Sequence, residues 1–203
     1  MRSSTGGWPR AWPIIAVALL PAVLLMAVAG CGQQTDPGAQ TLLKDASSHM
    51  SKAADVTKSI EAFNKQWGAL VADQGNPQTA ARLEQLFTTT RASEVASLDE
   101  TKAARDDFAK AGGLHLSAEM KKYVDLRHEA LDEQEQFLAT ELKAMDLRIK
   151  VAKGEASGLS LDALITLNKQ INGLEEESAA HAKRAGKLHK EAGDYYREHH
   201  LGG

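Results

Sequence analysis

A single cysteine, Cys31, leaves the chain with no internal disulfide and no cysteine-ligated zinc site. Aromatic residues are only 5% of the sequence, so a core must be assembled mainly from Leu, Ile, Val, Met and Ala. There is no Lys/Arg cluster, and acids outnumber bases, 27 to 24. A nucleic-acid partner is thereby excluded, because phosphate neutralisation requires a basic face. No glycine-rich phosphate loop, Gly-x-Ser-x-Gly elbow or His-Glu-x-x-His helix occurs. A ferritin-like dimetal bundle needs two Glu-x-x-His motifs, and the nearest match is the lone Asp125-Leu126-Arg127-His128. With these templates missing, the expectation is a non-enzymatic protein with no catalytic residue and no cofactor. The length of 203 residues fits one domain.

What is present begins at the amino terminus. Arg2 and Arg10 precede an almost wholly apolar run from Ala11 to Ala29, which ends in Val28-Ala29-Gly30-Cys31. A charged start, an apolar stretch and small residues before a cleavage point are the parts of a secretory signal. An uncleaved anchor is the competing reading, since nineteen apolar residues can span a bilayer of ~30 Å. Pro13 and Pro21 would kink such a helix. Losing residues 1–30, which carry two arginines and no acid, would lower the formal charge from −3 to −5. The tetrad Val28-Ala29-Gly30-Cys31 resembles the lipobox of bacterial lipoproteins. The resemblance covers the first 31 residues and implies a thioether-linked diacylglycerol on Cys31, often with a further acyl chain such as palmitate on its amino group. It also implies a lipid-anchored location at the cell membrane, or at the outer membrane where there is one, with the mature domain outside the cytoplasm. Gly32 stands where inner-membrane retention commonly has aspartate.

Beyond the cysteine, residues 31–39, with Gln33, Gln34, Asp36, Pro37 and Gly38, read as a flexible tether. Three Gly/Pro-rich breaks, at 73–77, 112–113 and 154–158, then divide residues 40–199 into segments of about 40–72, 78–111, 117–153 and 160–199. Residues 200–203 are left as a tail. Heptad seams run through Leu42, Ala46, His49, Ala53, Val56, Ile60, Phe63, Trp67 and Leu70 in the first segment, and through Leu164, Leu167, Ile171, Leu174, Ser178, His181, Ala185, Leu188, Ala192 and Tyr195 in the fourth. The third repeats apolar pairs seven apart, from Tyr123-Val124 to Val151-Ala152. The second carries Leu83, Phe87, Thr90, Glu94, Ser97, Thr101, Ala104 and Phe108. Pro77, Ser117 and Ser160 suit helix starts. No window shows two-residue alternation, so the expected fold is all-α. Equal lengths and short connections favour an up-down-up-down four-helix bundle over two long hairpins that complete a core by oligomerising.

Two groups of polar residues are the candidate interior sites. Counted from the helix ends, His49, His128 and His189 lie ~14–15 Å from the anchored end, a layer that would suit a transition metal, or haem with Met50. Glu94, Gln134 and His181 fall ~24, ~24 and ~27 Å up, and Glu94 is expected to pair with His181 or Gln134, with Val56 from the first segment. Solvated or capping histidines are the alternative for the first group, and register-fixing polar contacts for the second. His115, His199 and His200 read as solvated, Glu175-Glu176-Glu177 as one solvated face, and Trp67, Tyr195 and Tyr196 as core or bundle-end plugs. The whole is similar to the small helical lipoproteins of bacterial envelopes, some of them cell-wall-binding. The expected function is an envelope interaction or scaffold module whose partners are membrane lipid, through acylated Cys31, and an envelope protein or cell-wall component. The alternative is a bundle that holds a small ligand, metal or haem.

Overall fold

The computed structural model describes residues 36–72, 78–157 and 159–201. The expected signal sequence, Cys31 and the Pro77 helix start lie outside them. The described chain is all-helical: α1 (Pro37–Ala72), α2 (Thr79–Gly112), α3 (Ala118–Ser157) and α4 (Leu161–Glu198). At 1.5 Å per residue these helices are about 51 to 60 Å long.

Three of the four helices start where a side chain caps them. Asp36 caps α1, its Oδ1 accepting from the Gly38 N–H at 2.7 Å, and Pro37 takes the first helical position, where its missing N–H costs nothing. The stretch read as tether is therefore helical from Pro37, and Ala39 is fully buried. Ser117 Oγ accepts from Met120 N at 3.1 Å, and Ser160 Oγ accepts from Ala163 N at 3.3 Å. α2 ends at Gly112, where a Cβ would come within 3.3 Å of Val124 Cγ1, so this glycine lets α2 close against α3. The third expected break falls late, because α3 continues through Gly154 to Ser157.

Neighbouring helices run antiparallel. Ser97 Oγ donates to the Ala53 carbonyl between α1 and α2, Arg91 pairs with Asp146 between α2 and α3, and Ser178 Oγ donates to Glu141 between α3 and α4. Packing follows chain order: α1 on α2, α2 on α3, α3 on α4. Among the described residues no α1 Cα comes within 8 Å of an α4 Cα.

Apolar clusters occupy the two ends. One gathers Leu43, Phe108, Met120, Tyr123, Ala192 and Tyr196, with Phe108, Tyr123 and Tyr196 ring centroids 6.3 and 5.0 Å apart in succession. The other joins Leu83, Phe87, Met145 and Ala152 to Phe63 and Trp67, whose rings lie 6.1 and 5.4 Å from Phe87. Such spacings are those of favourable aromatic pairs. All eight seam residues of α2 and all ten paired residues of α3 are buried. On α1 the buried stripe is Ala39, Leu43, Ala46, Met50 and Ala53, so Leu43 and Met50 displace the expected Leu42 and His49. On α4 it passes through Glu175, Ala182 and Tyr196 rather than Leu174, His181 and Tyr195. The side chains of Val56 and Ile60 lie outside the described residues. No described helix is long and apolar enough to cross a membrane.

Candidate functional site

Between the apolar ends a polar stripe runs past a small third apolar cluster of Phe137, Leu138 and Ala182, and α3 supplies its spine. Arg127, Gln134, Glu141 and Arg148 stand seven residues apart and so share one face of the helix. Arg127 is only 3% exposed and Arg148 only 7%. Two hydrogen-bonded networks spread from this stripe.

In the first, Arg127 Nε donates to the Tyr123 hydroxyl at 3.1 Å, and its guanidinium carbon lies 5.3 Å from that ring's centroid. Arg127 Nη1 lies 3.1 Å from His189 Nδ1, and His189 Nε2 lies 3.0 Å from Gln134 Oε1. Gln134 Nε2 donates onward to Thr101 Oγ1 at 3.3 Å. A guanidinium can only donate, so His189 accepts at Nδ1 and carries its proton on Nε2. Burial, with the Arg127 charge adding to it, pushes the His189 imidazole down to about 3, so it is neutral at physiological pH.

The second network centres on Arg148, which reaches Glu175 Oε1 at 2.5 Å and Glu141 Oε2 at 3.5 Å. Ser178 donates to the other Glu141 oxygen at 2.5 Å. Glu94, 5% exposed, approaches from α2 with Oε2 enclosed and without a hydrogen-bond partner among the described residues. Burial first, and then the Glu141 charge, pushes its carboxyl up to about 8, against the opposing pull of Arg148 and Arg91. Glu94 therefore holds a proton at neutral pH.

These pairings correct several expectations. Glu94 is buried as expected, but neither His181 nor Gln134 is its partner: His181 meets Glu133 at 2.6 Å, and Gln134 bridges Thr101 and His189. The reason is an offset between helices. Gly112, at the end of α2, meets Val124 rather than the first turn of α3, so equal counts from the helix ends do not give equal heights. Glu94 consequently faces the level of Glu141, one heptad beyond Gln134. The three histidines do not converge on a shared site, because each is held by different partners. His49 pairs with Glu100 at 2.5 Å, His128 approaches Asp132 at 3.5 Å on its own helix, and His189 is held by Arg127 and Gln134. Among the described residues no three His, Cys, Asp or Glu side chains are placed to hold a metal. Glu175 is not on a solvated face with Glu176 and Glu177, since it is 7% exposed and paired with Arg148. Three consecutive helical residues sweep about 200° and cannot share one face. Trp67, Tyr195 and Tyr196 all pack in the end clusters, and Tyr195, half-buried, also stacks on His199 at 4.2 Å. His115, His199 and His200 are exposed.

Outside the interior, an open groove of about 590 Å³ lies between α1 and α2, with Phe63, Leu70 and Leu86 among its walls and Arg82 and Gln85 beside them. The inward arginines Arg127 and Arg148 escaped sequence reasoning, although their spacing of three heptads was a usable signal. No family model matches the chain, and no curated protein or solved structure matches it either.

Proposed function

We propose that the chain is a lipid-anchored lipoprotein of the bacterial cell envelope, whose helices act as a non-enzymatic interaction or scaffold module. Acylated Cys31 holds it to the cell membrane, or to the outer membrane where one is present. The four helices work as one up-down-up-down bundle with its open side between α1 and α4, and they engage an envelope protein or cell-wall component. One observation carries this reading: helices about 51 to 60 Å long begin at Pro37, six residues after the lipobox-like cysteine. Six residues span at most ~20 Å, so a bundle tethered this way stands at the membrane surface and projects away from it. Several interior polar groups are paired, as in a rigid support; Glu94 and the Tyr196 hydroxyl are exceptions.

Radioactive fatty-acid labelling of the wild type and Cys31→Ser tests the anchor. The wild type should be labelled and cut between Gly30 and Cys31, because sulfur is the nucleophile that carries the lipid. Labelled or normally processed Cys31→Ser would defeat the reading. Cross-linking from native membranes, with the acylated protein as bait, identifies the partner.

A further inference from the structure

Arg127 stands apart from the other interior charges. Arg148 meets two carboxylates, and Arg105 pairs with Glu135, whereas Arg127 has no acidic partner among the described residues. Of its five N–H donors one goes to Tyr123 and one to His189, which leaves three open. A cation 3% exposed and without a counter-ion is costly, and so favours an anion that can approach it. Its Nη2, which makes no hydrogen bond among the described residues, is not fully enclosed.

The surroundings on α4 add to this. His189, Gly193 and Tyr196 share one face of that helix, opposite the stretch of α3 from Tyr123 to Arg127. The Tyr196 hydroxyl is enclosed and has no hydrogen-bond partner among the described residues. Gly193 is buried, yet a Cβ there would meet only Arg197 Nη1, at 3.9 Å. A Cβ at Gly193 would thus enter open space on the α4 face opposite residues 123–127, with the Arg197 guanidinium, itself paired with Asp194, at its edge. His189, neutral and already accepting from Arg127, adds no competing charge.

We propose that this part of the α3–α4 interface is a binding site for a small oxyanion, a phosphate or carboxylate group, with Arg127 as its main ligand, Arg197 at the rim and the Tyr196 hydroxyl as a further donor. A planar guanidinium with open donors matches two oxygens of such a group in a forked pair. The oxyanion comes either from a soluble molecule or from a lipid headgroup. The site stands on the geometry of Arg127 and does not depend on the anchor.

The test follows the His189 ring ¹⁵N resonances and the melting temperature of the full chain at fixed ionic strength, with detergent present only in the soluble-anion arms. Inorganic phosphate, acetate, and phosphatidylglycerol or phosphatidylcholine vesicles are titrated in separate arms. Binding should move the Nδ1 resonance saturably and raise the melting temperature by mass action. Arg127→Gln should weaken the response at least about tenfold, and Tyr196→Phe and Arg197→Gln less. Saturation by phosphate or acetate assigns a soluble source, and saturation by phosphatidylglycerol vesicles alone assigns a headgroup; both support the site. No saturable response in any arm, or an undiminished response in Arg127→Gln, overturns it. If Arg127→Gln does not fold, Tyr196→Phe decides: weakened binding supports the site and unchanged binding refutes it.

Discussion

Glu94 shows what a single buried side chain does to the molecule. Its carboxyl is raised from an ordinary 4.5 to about 8, so between those values the folded chain holds a proton that the unfolded chain has released. Stability from this group is full at acidic pH and is lost as pH climbs through the window, because the native state binds more protons there. His189 acts in the opposite sense. Its folded value is lowered from 6.5 to about 3, so its contribution is present above 6.5 and lost as pH falls. Unfolding free energies from denaturant titrations between pH 5 and 9 should therefore fall for the wild type relative to Glu94→Gln, by a few kcal/mol across the range. Parallel curves for the two proteins would show that Glu94 does not hold its proton. That Glu94 would be buried was legible from its seam position. Its neighbours were not, because they depend on how far α3 overhangs the end of α2, and no single-helix periodicity encodes that offset.

Among the elements, the two inner helices were the readable ones. α2 and α3 each pack against two neighbours, so their apolar and small residues are enclosed on a broad arc, and every seam position named for them is buried. α1 and α4 have one close neighbour each, and their stripes are rotated by one residue at several positions. On α1 the polar ring of His49 turns to the acids of α2 while Met50 goes inward. On α4 the Arg148 guanidinium draws in Glu175, a charge attraction that an apolar pattern cannot foretell. Both frames agree at Ile171, which is fully buried, and Glu176 is exposed in either. Ile171→Asp should lower stability by several kcal/mol through an unpaired carboxylate in the core, whereas Glu176→Ala should stay within about 0.5 kcal/mol. Urea unfolding of the two variants makes the comparison, and equal midpoints would mean that α4 is rotated from the described packing.

For the whole molecule, two apolar ends enclose a middle that joins polar networks to the cluster of Phe137, Leu138 and Ala182, and this organisation rests on the described residues between 36 and 201. A chain that begins at Thr35 should thus be soluble and strongly helical by circular dichroism. A spectrum dominated by coil or strand would mean that the missing residues are required for folding. The all-helical class followed from the 3.6-residue periodicity and the Gly/Pro breaks alone. The arrangement of the helices did not, because a heptad seam shows that a helix has a partner without saying which one.

The absence of a close α1–α4 approach among the described residues carries a kinetic consequence. Every pair of helices that packs closely is adjacent in the chain, so no contact has to wait for a distant segment to return. Such a molecule has low contact order, and the entropy of closing long loops hardly enters its folding barrier. Assembly can begin at any one hairpin and spread to the next helix, as in linear repeat proteins. The reverse path is equally open: α1 or α4 can peel from its single neighbour while the α2–α3 pair remains intact. The terminal helices are then the parts that exchange amide hydrogens first, and the pair between them the part that holds longest.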